Sequence, residues 1–434
     1  MAGIENQTPL LGTTGGFNSV VLKEFYLGPI RDILNSSTVL SRIILKDEES
    51  ISGKYAVIPL RTERNEAIVN VDENAFLPDA QTQGYAKTLI PMRWLYGRIL
   101  FTGQVIAMSR NDRGAFAEAA DSEVSGLAID MKKAINRQLF HDGSGRLCQV
   151  TAIGAAPTYS VANPGGFTNG GSGTKYLRPK MVCACISAAG TLKGTAKITS
   201  VNASAGTVTF ANSFSAAGGA VVNDYLVLAA QDGAGAIPTG LGLESTAWNK
   251  EMMGLAGIVN DADPPAGAFQ GIVSSNGSGR SNNPAFQANV IDAASTALDL
   301  DVMQQAIDTC EQQGDGVPKV IILTHGLRRS YLDNLVPDKQ FVNTLEMDGG
   351  FRTIEFNMIP VVPDVDATYG RMYFLDTDTL AVYRMSDYFW IDHDGSILLR
   401  LPNKDSYQAT LALYAEMGCT APNRSAVITN LLEP

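Results

Sequence analysis

Residues 54–141, KYAVIPLRTERNEAIVNVDENAFLPDAQTQGYAKTLIPMRWLYGRILFTGQVIAMSRNDRGAFAEAADSEVSGLAIDMKKAINRQLFH, decide the fold of this chain. Two strand-like runs, 55–60 and 94–108, bracket about thirty polar, turn-rich residues. A connection that long inside a compact domain is either functional or unstructured. Ala67, Val69 and Val71 alternate within it and charge recurs along it, which favours an ordered arm projecting from the body. Such an arm cannot bury itself on its own subunit and is expected to reach a neighbour. Its candidate inter-subunit contacts are Glu63, Arg64, Glu66, Asp72, Glu73 and Lys87. Each such polar contact is worth little singly.

The arm runs into a long amphipathic helix. Phe116, Ala120, Val124, Leu127, Met131, Ala134 and Ile135 recur at steps of three and four, which places them on one helical stripe. The spacing predicts a helix over 114–141, about 40 Å long at ~1.5 Å per residue. Asn111 or Asp112 can cap its start, and Gly143 ends the run. Phe116, Val124, Leu127, Met131 and Ile135 are its candidate core residues. Glu118, Asp121, Lys132, Lys133 and Arg137 fall off the stripe and are read as its polar side. Ile129 and Phe140 lie elsewhere again, which leaves a second covered face open. An ordinary core helix would carry the same pattern; placed directly after an arm, it reads as the strut of an assembling subunit.

Outward from this segment, residues 1–53 read as an extended arm with a short helical portion lined by Val20, Val21, Phe25, Leu27, Ile30, Ile33 and Leu34. It is too short and too poor in heptads to hold an internal scaffolding domain. Residues 148–235 are dense in Gly, Ala, Ser and Thr, with β-prone pieces at 181–186, 196–201, 207–210 and 225–228 between turns such as Ala205-Gly206 and Asn223-Asp224. They read as a β-rich insertion, a small barrel being one form open to it. The Gly-, Ser-, Pro- and Asn-rich stretch 261–283 reads as a long loop. Beyond it, Leu300, Met303, Ile307 and Cys310 mark a helix closed by Gly314, and 327–335 a second one. Residues 320–323, 359–362, 372–375 and 380–383 read as strands, with Thr377-Asp378 as a turn. Helices beside a mostly β layer give the α+β class.

This succession resembles the major capsid proteins of tailed bacteriophages, the HK97-like fold. SEVSGLAIDMKKAINRQLFHDGSGRL (122–147) looks like a spine helix and its exit, and PKVIILTHGLRRSYLDNL (318–335) like an axial-domain strand and helix. FRTIEFNMIPVVPDVDATYGRMYFLDTDTLAVYRM (351–385) and YQATLALYAEMGCTAPNRSAVITNL (407–431) look like closing strands. The resemblance implies an N-terminal arm (1–53), an E-loop hairpin with its base strands (54–108) and the spine helix of a P-domain (109–147). A β-rich insertion or P-domain strands (148–240), an axial A-domain (241–400) and returning C-terminal strands (401–434) would follow. It also implies a structural protein, not an enzyme, whose pentamers and hexamers form an icosahedral shell enclosing double-stranded DNA without binding it specifically. Implied partners are other copies, a separate scaffolding protein, a portal and, as a further option, a decoration or cement protein. The implied location is the virion, after assembly in the host bacterial cytoplasm. Some relatives join an arm lysine to a neighbour's asparagine. Lys87 and Asn423 stand in comparable stretches, but no motif here specifies that chemistry.

Composition is compatible with this reading. The chain has 434 residues, 45% hydrophobic and 18% charged, enough for two or three domains. A net charge of −11 opposes nucleic-acid binding, which needs clustered Lys and Arg, and suits a wall that confined DNA must slide past. Five cysteines show no Cys-x-x-C pair; Cys183 and Cys185 share one face of an apolar strand-like run and read as small buried hydrophobes. His141, His325 and His393 lack ligand spacing, so neither a metal nor a cofactor is expected. The opening residues lack a basic n-region and a continuous apolar h-region, and no apolar run approaches the ~20 residues that span a bilayer, so a soluble, membrane-free protein without a targeting signal is expected.

Catalytic motifs fail in turn. GGSGTK (170–175) lacks the Gly-Lys-Ser/Thr of a phosphate loop. Ser144, Ser172 and Ser278 fit no nucleophile elbow. Asp392 and Asp394 read as a hairpin turn, and Glu355, Asp364 and Asp366 as solvated strand ends. An enzyme or carbohydrate-binding module built on the insertion is the competing class, and an encapsulin-like compartment would share the fold.

Overall fold

Alternation, rather than hydrophobic content, fixes the first strands in the computed structural model. It describes residues 40–47, 51–52, 55–63, 65, 67–73, 75–104, 113–168, 171–214, 218–230, 242–272, 280, 284–335, 344–347, 351–385, 389–392, 399–402 and 404–433. The helical portion expected at Val20–Leu34 lies outside them. Helix α1 (Leu40–Ile43), β1 (Leu45–Asp47) and β2 (Ile51–Ser52) lead into the arm, whose strands are β3 (Tyr55–Glu63) and β4 (Gly84–Pro91). The second strand of the hairpin thus lies inside the stretch read as polar connection. Buried Thr88 and Ile90 alternate with exposed Lys87 and Leu89; a threonine on the inner face disguised the period-two pattern. Strand β5 (Arg93–Thr102) is shorter than the run expected to reach 108: Gly103 and Gln104 are helical, and 105–108 lie outside the described residues. Helix α2 (Arg113–Phe140) begins and ends within one residue of its predicted bounds.

Six strands follow: β6 (Arg146–Ile153), β7 (Thr158–Ala162), β8 (Val182–Ile186), β9 (Leu192–Asn202), β10 (Thr207–Phe210) and β11 (Tyr225–Leu228). They close into a barrel of order β10-β7-β6-β11-β8-β9. Its interior is filled by Leu147, Val150, Tyr159, Cys183, Cys185, Ile198, Phe210 and Leu226 among others. Ala184 and Ile186 lie in a separate cluster with Val227, so β8 is covered on both faces and its two cysteines point together into the barrel.

Helix α3 (Leu255–Ile258) and β12 (Asn289–Asp292) precede α4 (Leu300–Gly314), which is capped by the Asp299 carboxylate. Next come β13 (Val320–Leu323), α5 (His325–Leu335), β14 (Thr344–Met347), β15 (Phe351–Phe356), β16 (Ile359–Pro363) and β17 (Met372–Leu375). The chain finishes with β18 (Leu380–Arg384), β19 (Phe389–Trp390), β20 (Leu399–Arg400), β21 (Ser406–Cys419) and β22 (Ala426–Thr429). One sheet runs β12-β22-β17-β13-β16-β15-β14. All four residues of β13 are buried, as suits a central strand covered on both faces. Met303, Ile307 and Cys310 of α4 and Leu327 and Tyr331 of α5 pack on Ile321, Leu323, Phe374 and Ile428 of that sheet.

The chain divides into two compact units: residues 1–36, 96–131 and 390–411, and residues 37–95, 132–389 and 412–434. In the first, Ile99, Phe101 and Ala409 form a cluster with Leu127 and Trp390, and β20 pairs with the start of β21. The second holds the arm, the barrel and the seven-stranded sheet, together with β1 paired parallel to β18 and β18 antiparallel to the end of β21.

Candidate assembly interface

The arm is a long antiparallel hairpin with an irregular tip. β3 and β4 pair from Tyr55 opposite Pro91 out to Glu63 opposite Gly84, with one irregularity between Arg61 and Glu63. Beyond this ladder, Asn65 holds the tip together: its Nδ2 donates to the Gln81 carbonyl at 2.7 Å and its Oδ1 accepts from the Ala67 N–H at 2.8 Å. A turn follows in which the Ala75 N–H donates to the Asp72 carbonyl at 3.1 Å.

Large apolar side chains stand out on this tip. Phe76 is 100% exposed, Leu77 79% and Ile68 72%, with Val69 and Val71 also open to solvent. Large apolar groups exposed along one loop make it a candidate interaction site. Of the charged contacts expected from sequence, Asp72, Glu73 and Lys87 are exposed and Glu63 ends the ladder; Arg64 and Glu66 lie outside the described residues. Sequence reasoning named the arm's charges and passed over Phe76 and Leu77. The signal available was two adjacent large apolar residues in a stretch otherwise built of polar and turn residues.

On α2, Met131 and Ile135 are buried and Leu127 is partly buried; Phe116 and Val124 lie in the helix, with side chains outside the description. The last turn is enclosed on all sides, Phe140 included. Arg137, read from sequence as part of the polar side, is 7% exposed and forms an ion pair with Glu251. Asn136 Nδ2 donates to Asp364 Oδ1 at 3.1 Å and Asp366 Oδ2 at 2.9 Å. Asp364, expected as a solvated strand end, is only 2% exposed. Both corrections share a cause: the partners lie 114 and 228 residues away in sequence.

Burial shifts the titrating groups here. His141 Nδ1 lies 3.4 Å from Arg137 Nη1. Burial, then Arg137 and Lys175, push the His141 pKa well below its ordinary value, keeping the ring neutral. Lys175, from the rejected phosphate-loop stretch, donates to the Ala367 carbonyl at 3.4 Å and sits near the Tyr176 and Tyr369 rings. Burial lowers its pKa, opposed by Asp366, Asp364 and Glu433. Ser144 donates to Asp142 inside the same region, and Ser172 contacts Thr174 at 2.6 Å. Burial raises the thiol pKa values of all five cysteines, to about 11 for Cys419 and about 12 for Cys183 and Cys310. These thiols pack as apolar groups and are poor nucleophiles. Among the described residues, no group of three or more His, Cys, Asp or Glu is placed to hold a metal ion, and no helix is long and apolar enough to cross a membrane.

No family model and no curated protein matches the sequence. Solved structures do. The capsid asymmetric unit of Cyanophage A-1(L) is similar at 11% identity and a TM-score of 0.54, over 93% of this chain and 95% of that one. The capsid of Myoviridae Phage XM1 is similar at 7% identity and 0.42, over 92% and 96% of the two chains. The holo-SrpI encapsulin complex from Synechococcus elongatus PCC 7942 is similar at 8% identity and 0.43, over 93% and 90%. The first likeness, over nearly the whole of both chains, is one of fold: this chain has the α+β, HK97-like fold of a phage capsid subunit, with a β-rich barrel after its long helix.

Proposed function

We propose that the chain is the major capsid subunit of a tailed bacteriophage. Copies form pentamers and hexamers that close into an icosahedral shell around double-stranded DNA. The observation that carries this reading is the arm tip, where Ile68, Val69, Val71, Phe76 and Leu77 are exposed on a chain with the capsid fold. Covering apolar surface gains about 25 cal/mol per Å², which a neighbouring subunit can supply at every repeat of a lattice. In this reading 1–53 is the N-terminal arm, 54–108 the E-loop, 109–147 the spine, 148–240 the insertion, 241–400 the axial domain and 401–434 the returning strands.

Glu63, Arg64, Glu66, Asp72, Glu73 and Lys87 then set the register of contacts whose free energy is mainly apolar. The net charge of −11 fits a wall that packaged DNA does not adhere to. A separate scaffolding protein, a portal and a decoration protein are the expected partners, and the bacterial cytoplasm the place of assembly. Negative-stain imaging with light scattering tests the reading: the expected result is shells, tubes or rings of five and six, from the chain alone or with its scaffold. A chain that stays monomeric at high concentration and with scaffold present overturns it.

A further inference from the structure

Charge is segregated along this chain, and the barrel holds a basic share. Between Leu147 and Ala230, Asp224 is the sole acid against Lys175, Arg178, Lys180, Lys193 and Lys197, although the whole chain carries −11. Three of those cations gather on the outside of the barrel. Ala196 and Ile198 fill its interior, so Lys197 between them projects from the opposite face of β9 and is exposed. Arg178 and Lys180 are exposed in a turn closed by the Met181 N–H on the Arg178 carbonyl at 3.3 Å. The Lys180 N–H donates to the Ile198 carbonyl at 2.9 Å, which sets that turn against β9 beside Lys197. Lys180 also holds a φ of 72°, a conformation that glycine adopts at less cost.

Helix α4 carries the opposite sign. Its charged residues, Asp301, Asp308 and Glu311, are all acidic and all exposed, whereas α2 and α5 carry both signs. Asp301 and Asp308 stand two turns apart on the face opposite buried Met303 and Cys310, and Glu311 follows one turn beyond Asp308. Gln304 Nε2 donates to Asp308 Oδ1 at 2.7 Å and orients it. Among the described residues, no ion pair joins Arg178, Lys180 or Lys197 to these acids within one chain.

We propose that the basic outer face of the barrel, at Arg178, Lys180 and Lys197, docks on the acidic face of α4 in a second copy of this chain. Two different but complementary faces make a heterologous contact, which repeats head to tail into rings or lattices. Opposed charges of this kind set register and speed encounter, leaving most of the free energy to the apolar arm tip. A second copy brings the matching acids one face for one, whereas a polyphosphate chain would meet an acidic body around a small basic patch. The inference rests on the self-association proposed above and names a surface for it.

Zero-length carbodiimide coupling tests this on isotopically heavy and light full-length chains, mixed before association. Peptides carrying Lys180 or Lys197 are expected to be joined to peptides carrying Asp308 or Glu311, roughly half of them heavy to light. Reversing the barrel charges (K180E with K197E) or the helix charges (D308K with E311K) should each raise the concentration needed for association about tenfold in about 0.1 M NaCl. The shift should shrink in about 1 M NaCl. A chain carrying all four changes should regain the wild-type threshold. Should a variant fail to fold, coupling on the wild-type chain still decides. Associated chains without that heavy-to-light coupling, or no recovery in the fourfold variant, overturn the contact and leave the capsid reading standing. A chain that never associates, even with scaffold, overturns both. Loss of duplex DNA binding in K180E with K197E, at unchanged self-association, assigns the face to nucleic acid and overturns the contact likewise.

Discussion

A methyl group at Gly97 would stand 2.8 Å from Leu127 Cδ1 and 2.8 Å from Met131 Sδ. At that position β5 and α2 approach so closely that even a methyl group requires the Leu127 and Met131 side chains to shift. Because the obstructing atoms are ends of flexible side chains, Gly97→Ala should fold but lose about 1–3 kcal/mol through overpacking. Denaturant titration checks this; an unchanged midpoint would mean the helix does not rest on the strand there. Arg280 shows the opposite economy of space. Fully buried, its guanidinium donates to the carbonyls of Gly257, Ile258 and Phe286 and lies 4.1 Å from the Phe269 ring. Buried polar groups persist when hydrogen-bonded. Nothing local in the sequence foretells this, and Arg137 and Asp364 escaped sequence reading for the same reason: a charged residue is buried by partners that only the tertiary fold supplies.

At the level of elements, periodicity did most of the work. The stripe from Phe116 to Ile135 located α2, and apolar runs located α4, β13, α5 and β17. Four of the barrel strands were legible as β-prone runs between turns. The other two, β6 and β7, were hidden at the exit of the helix, where LCQVTAI follows a glycine-rich break. The arm was legible as an element, its second strand and apolar tip less so. Because Glu63 and Gly84 already face each other across the ladder, a two-residue Asn-Gly turn can replace 64–83 without disturbing register. The shortened subunit is expected to keep its melting temperature and lose shell formation, read by calorimetry and imaging. Normal particles from it would remove the tip from assembly.

For the whole molecule, in the proposed shell, the balance between charge and apolar area at the tip sets how assembly is expected to respond to salt. Contacts made by Asp72, Glu73 and Lys87 alone would fade between about 0.1 M and 1 M NaCl as the screening length falls from ~10 Å to ~3 Å. Contacts made by Phe76, Leu77 and Ile68 would persist or strengthen, since excluded salts favour burial of apolar area. Assembly followed by light scattering is expected to survive the higher salt; its loss would return the free energy of assembly to the charges. The barrel has a consequence of its own. Its entry strand β6 and exit strand β11 lie side by side, with Arg146 opposite Val227. A module that takes in and gives back the chain at adjoining points is a cassette: its size can change between those two points while the helices that precede and follow it, α2 and α3, keep their places in the chain.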